Sequence, residues 1–176
     1  MNRKFGIVVL IIFIIIIWAL SSCKVVDSYE DFHIRSVDDY GVEDYFSAEE
    51  LDFARVNNVL IRPVIKEINH YKYRVYLTAY SQTGSEKVTI NKIYLEKDSK
   101  VCLTNEEQQE VLFDEQVENV YEGVVNAGEF VDRDISDKNT MNIIVQVQVE
   151  NETEIITKDI NFHIDITQYR SVVMPT

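Results

Sequence analysis

Glycine, histidine, cysteine and positive charge are all scarce in this chain, and each shortage removes a class of function. Five glycines in 176 residues leave no glycine-rich phosphate loop and no Gly-x-Ser-x-Gly elbow, both of which need close backbone approach or a strained turn. Two cysteines, Cys23 and Cys102, supply no Cys-x-x-Cys pair. The three histidines, His33, His70 and His163, stand far apart with no His-x-His or Glu-x-x-His spacing, so a zinc site has no local nucleus. They read as solvated or hydrogen-bonded imidazoles. The chain has 17 Lys+Arg against 30 Asp+Glu, a net charge of −13. That balance argues against nucleic acid and against docking on anionic lipid headgroups. Paired carboxylates are so abundant here that their presence says nothing about glycosidase chemistry.

What the chain does have begins at its N-terminus. Arg3 and Lys4 precede residues 5–20, a run without charge made mostly of Ile and Val, which ends in Leu20-Ser21-Ser22-Cys23. A short basic region before an apolar run has the layout of an export signal. Its ending resembles the lipobox of bacterial lipoprotein precursors: a branched apolar residue, two small residues, then cysteine. The resemblance covers residues 1–23. It implies diacylglycerol on the Cys23 sulfur, cleavage before Cys23 and acylation of the freed amine, hence a palmitate-type membrane anchor. Two or three acyl chains hold a protein firmly where one, at ~0.8 kcal/mol per methylene, does not. The run also leaves an uncleaved spanning helix open, although it falls short of the ~20 residues that a span needs. Either reading places the remaining chain in the cell envelope, outside the cytoplasm. In enterobacterial-type lipoproteins Asp after the anchor favours the inner membrane. Lys24 stands there, which points to the outer membrane if the host is Gram-negative.

Removing residues 1–22 takes away Arg3 and Lys4 and no acid, leaving 15 Lys+Arg against 30 Asp+Glu, a net charge of −15. The remaining 154 residues suffice for one domain. With Cys23 lipidated, Cys102 has no disulfide partner, and its setting between Val101 and Leu103 reads as an inert apolar thiol. The only tryptophan, Trp18, lies in the signal segment.

Residues 23–46 are acidic and show neither strand nor helix periodicity, so they read as a lipidated tether. Fully extended it spans about 75 Å, and as a coil roughly 25–30 Å. Its Tyr29, Phe32, Tyr40, Tyr45 and Phe46 are unusual for a disordered linker. They either pack back onto the domain, the favoured reading, or recognise a partner. Ser47 with Glu50 has the form of a capping box for one short helix over residues 47–56.

From residue 58 onward the period becomes two, and residues 47–176 are expected to be one domain. Residues 59–68 read as a strand that Pro63 confines to an edge or bulge. In residues 71–81, Tyr73, Val75, Leu77 and Ala79 oppose Lys72, Arg74, Tyr76, Thr78 and Tyr80. A turn follows at residues 82–85. In residues 87–96 the apolar parity slips between Ile90 and Ile93, which predicts a bulge. A brief strand is expected at residues 101–103. Residues 104–125 fit either a helix or two strands broken near Glu118-Asn119, with context favouring strands. Asn126-Ala127-Gly128 reads as a turn. Residues 143–149 and 156–166 form a long hairpin with one buried face around a turn at residues 150–153; Lys158 breaks its parity. Roughly seven strands at this spacing predict an all-β, antiparallel two-sheet sandwich of immunoglobulin-like type, although the paired cysteines and central tryptophan of immunoglobulin domains are absent.

Chemistry-bearing motifs are few. Asp132-Arg133-Asp134-Ile135-Ser136-Asp137 is a faint calcium-loop likeness, without the loop glycine and with Ile143 at the twelfth position, and reads as a solvated acidic turn. Asn151-Glu152-Thr153 matches a glycosylation sequon that a bacterial lipoprotein has little use for. Arg74, Tyr76 and Tyr80 share one polar strand face, a residue combination found at contact surfaces. The expected function is that of a membrane-anchored, non-enzymatic, protein-binding domain without cofactor or metal, of the envelope-accessory or immunity type. A lipoprotein binding a small molecule, glycan or cation is the first alternative, and a hydrolase built from sequence-distant residues the second.

Overall fold

The computed structural model describes residues 25–35, 37–69, 71–132 and 139–172. They form two units. One is Phe32–Thr167; the other combines Met1–Asp31 with Gln168–Thr176, of which strand residues 25–31 and 168–172 are described.

The strands are β1 Val25–Ile34, β2 Arg55–Val56, β3 Val59–Asn69, β4 Lys72–Ser81, β5 Lys87–Lys97, β6 Lys100–Asn105, β7 Gln109–Val111, β8 Glu115–Val117, β9 Val120–Val131, β10 Asn139–Glu150 and β11 Ile155–Val172. They make two sheets, β1-β11-β10-β5-β6 with β7 also on β5, and β2-β3-β4-β9-β8. Every pairing whose register is resolved is antiparallel. Hairpins join β3 to β4 and β10 to β11, while β4 to β5 and β9 to β10 cross between sheets. The orders β3-β4-β9-β8 and β6-β5-β10-β11 are the A-B-E-D and C′-C-F-G orders of the immunoglobulin-like sandwich. The fold is therefore the expected two-sheet sandwich, with its Greek-key order visible in the pairing.

The core lies between the inner faces. Met141, Ile143, Val145, Val147 and Val149 on β10 are fully buried, as are Phe162 and Ile164 on β11 and Val75 on β4. This is the period-two pattern expected for strands with one face covered. The parity slip in β5 is a bulge: Val145 sits opposite Ile93 and Val147 opposite Ile90, leaving Asn91 as the extra residue, so both isoleucines point inward. Pro63 lies past the two-residue β2 on an otherwise open edge of β3, where its missing N–H leaves no ladder bond unmade. Residues 104–125 contain strands. Glu118 and Asn119, with φ of 48° and 71°, make the two-residue hairpin turn between β8 and β9. Between β7 and β8 the chain passes against Gly123, where a Cβ would lie 2.4 Å from the Leu112 carbonyl oxygen.

One compact unit spans Phe32–Thr167, and two sequence expectations are corrected. Within the stretch read as a tether, Val37 and Tyr45 are buried, and Phe32, Tyr40 and Phe46 pack partly buried against the core; these four aromatics pack back, as favoured, and the Tyr29 side chain lies outside the described residues. The short helix is a 3₁₀ segment, Glu49–Ala54, following a smaller one at Val42–Asp44. Its N-cap is Ala48, without a side-chain cap, because the Ser47 hydroxyl donates backward to the Asp44 carbonyl at 3.3 Å. Long cationic side chains bind its flanking carbonyls instead. Arg55 Nη1 donates to Phe46 O at 2.9 Å and Arg55 Nη2 to Ala48 O at 2.5 Å, while Lys158 Nζ donates to Asp52 O at 3.0 Å and Arg55 O at 2.8 Å. The Lys158 parity break is thus an inward lysine holding the 3₁₀ segment, and burial lowers its pKa from the ordinary lysine value. Finally, Asn126-Ala127-Gly128 is a bulge inside β9 rather than a turn. The register shifts there against Val75 and Tyr76, Gly128 takes φ of 131°, and its N–H donates to Asn126 Oδ1 at 3.1 Å.

Candidate binding surface

β4 alternates as its sequence demands, and its outward residues join those of β3 and β9 in rows across the outer face of the second sheet. Leu60, Tyr80 and Glu122 share one row, and β8 extends it with Glu115. Arg62, Thr78 and Val124 form the next, then Val64, Tyr76 and Asn126, then Lys66, Arg74 and Glu129. Successive rows are about 6.7 Å apart, two residues along each strand.

The first rows are covered by residues 37–54. Tyr45 packs edge-on against Tyr80, with ring centroids 4.9 Å apart at 63°. Tyr80 is only 6% exposed although its side chain points outward. Arg62 fixes this cover. Its Nη2 and Nε donate to Asp38 Oδ1 at 2.8 and 3.2 Å, and its Nη1 donates to the Tyr45 hydroxyl at 3.2 Å. Burial, with the Glu122 carboxylate nearby, pushes the Tyr80 phenol up to about 12.

Beyond the cover the face is open. A groove of about 350 Å³ is lined by Val64, Lys66, Tyr76, Thr78, Tyr80, Glu122 and Val124. Val124 is 51% exposed. Lys66 Nζ stands 5.6 Å from the Tyr76 ring centroid, and Arg74 Nη1 donates to the Tyr76 hydroxyl at 3.4 Å. Glu129 holds both Arg74, with Nε at 2.9 Å, and Lys72. The structure therefore brings Arg74, Tyr76 and Tyr80 to one face in unequal roles. Tyr76 lines the groove, Arg74 is tied to Glu129, and only part of the Tyr80 side chain reaches the groove wall. Sequence reasoning missed Glu122. Its signal was the Glu118-Asn119 break, since a two-residue turn there sets Glu115 opposite Glu122.

The other candidates are dispersed. His33 lies beside Asp38 and Asp39, at 3.8 and 3.6 Å, and His163 Nδ1 is 2.6 Å from Asn142 Oδ1. His70 and residues 133–138, with most of the calcium-loop likeness, lie outside the described residues. Asp132 itself is buried against the Lys97 ammonium, a pair joining the ends of β5 and β9 across the sandwich. It borders a second cavity of about 490 Å³, also lined by Cys102. Burial raises the Cys102 thiol pKa, which disfavours the nucleophilic thiolate. Asn151 Oδ1 accepts from the backbone N–H groups of Thr153 and Glu154, both at 2.9 Å, and so organises its own turn. Among the described residues no three His, Cys, Asp or Glu side chains converge as a metal site.

No protein-family model matches the chain, and no curated protein does. A solved structure titled "Crystal structure of protein from Archaeoglobus fulgidus" is similar over 63% of this chain and 94% of its own, at 4% identity and a TM-score of 0.35.

Proposed function

We propose that this chain is a lipoprotein, anchored through acylated Cys23, whose immunoglobulin-like body binds another protein at the cell envelope without catalysing a reaction. The observation that carries this reading is the Leu20-Ser21-Ser22-Cys23 ending of the apolar run, with eight residues between Cys23 and Phe32, where the compact body starts. Residues 24–31 span at most about 29 Å when extended. That reach holds the body close to the membrane, within range of partners in or on it. The open face carrying Arg74 and Tyr76 supports the binding role, because arginine and tyrosine are enriched at protein contact surfaces.

Two experiments test the two halves. Cys23→Ala should move the chain from the membrane fraction to the soluble fraction or leave it as an uncleaved precursor; mature, membrane-held protein in that variant contradicts the anchor. Crosslinking of the full chain in intact cells, followed by quantitative mass spectrometry, should recover a partner in stoichiometric amount. Recovery of none contradicts the binding role.

A further inference from the structure

On the outer face of the second sheet like charges face each other twice: Lys66 lies opposite Arg74, whose guanidinium Glu129 takes, and a carboxylate pair lies across β8 and β9. Glu115 and Glu122 sit directly opposite each other across β8 and β9. Like charges in that position repel and destabilise a sheet. Among the described residues neither carboxylate is in an ion pair. The nearby Arg62 guanidinium is committed to Asp38 and Tyr45. Burial, then the Glu115 charge, raises the Glu122 pKa above its ordinary value. A local rule broken without compensation marks a functional position.

The groove runs from Glu122, which Glu115 flanks on β8, across the Val124 row to the Tyr76 row, and ends at Lys66. Its floor beside Glu122 is apolar, with Val64 and Val124, and the Tyr76 ring closes the row beyond. A carboxylate pair next to an apolar, aromatic floor suits a cation on an alkyl stem. A bare metal ion would use neither the floor nor the ring.

We infer that this groove receives an extended segment of a partner protein, with a lysine or arginine between Glu115 and Glu122 and apolar side chains over Val124 and Tyr76. The row spacing of about 6.7 Å matches alternate residues of an extended strand. The segment therefore carries a basic residue, then apolar residues at the second and fourth positions after it. Charge complementarity at the Glu115–Glu122 end selects a basic residue there over an acidic one, while at the far end Lys66 stands over the Tyr76 ring and Arg74 and Lys72 share Glu129. The inference rests on the protein-binding reading and names the surface and the partner's chemistry.

The test uses the full lipidated chain in detergent and two fluorescein-labelled peptides, Lys-Thr-Val-Thr-Val and Glu-Thr-Val-Thr-Val, read by fluorescence anisotropy. The lysine peptide should bind about tenfold tighter or more than the glutamate peptide. Glu115→Gln with Glu122→Gln should abolish that preference. Glu152→Gln with Glu154→Gln removes the same charge from the exposed β10–β11 turn and should leave the preference intact. Val124→Lys places an ammonium in the groove mouth and should also abolish it, with unchanged folding because Val124 is exposed. Equal loss in both glutamate double variants would mean attraction to net charge alone, and overturns the site. So does binding of calcium or spermine that Glu115→Gln with Glu122→Gln removes while the peptides show no preference. If the cellular partner is recovered equally by the wild type and this variant, the groove assignment fails and the protein-binding reading stands. If the wild type recovers no partner, the wider reading fails.

Discussion

Replacing Tyr45 with alanine tests whether residues 37–54 belong to the folded body. Tyr45 is 1% exposed, packs edge-on against Tyr80 and accepts a hydrogen bond from Arg62. Truncating a buried aromatic ring to alanine costs about 3–5 kcal/mol, including its aromatic contact. In a protein of this size each kcal/mol moves the melting temperature by roughly 2–4 °C. Tyr45→Ala should therefore lower Tm by about 6–20 °C. Tyr45→Phe keeps the ring and loses the Arg62 bond, a change of about 1 kcal/mol and roughly 2–4 °C. The assay is a thermal melt of the full chain in detergent, followed at a β-sheet circular dichroism band. If both variants melt within about 1 °C of the wild type, the segment is a spacer, as its acidity alone suggests, and the packing derived from the structure is wrong.

Gly123→Ala should destabilise by about 1–3 kcal/mol, because the new Cβ meets a backbone carbonyl and must displace the crossing chain; a lowered urea midpoint at unchanged m-value would show it, and an unchanged midpoint would contradict the close crossing. Tyr80 contributes to alkaline behaviour. Its folded pKa of about 12 lies above the unfolded value near 10, so its contribution is complete below about pH 10 and is lost as pH rises toward 12. Tyr80→Phe should flatten the fall in stability over that window, measured by urea titration at stepped pH, and an unaltered slope would contradict the burial assigned to the phenol.

How much of this was legible in the sequence depends on range. Features set by neighbours a few residues apart came through. The β10–β11 alternation, the β5 bulge between Ile90 and Ile93, the edge position of Pro63 and the Glu118-Asn119 break all follow from period-two patterning and turn chemistry. Features set by residues far away did not. Tyr80 is a polar-face tyrosine by alternation, yet Tyr45, thirty-five residues earlier, buries it. Ser47 and Glu50 spell a capping box, but Arg55 and Lys158 capture the carbonyls around a 3₁₀ segment instead. Asn126-Ala127-Gly128 has turn composition, and the long run of β4 alongside it holds it as a bulge. Of the candidate surface, Arg74 and Tyr76 were readable from β4 alone. Glu122 needed the β8–β9 register, which only the turn position supplies.

The anchor carries the functional account, and the intact mass of the protein extracted from membranes tests it most directly. The account predicts a chain beginning at Cys23, heavier than residues 23–176 by a diacylglyceryl group, with or without a further acyl chain on the amine. A chain still beginning at Met1, with an unmodified Cys23 thiol, would contradict it.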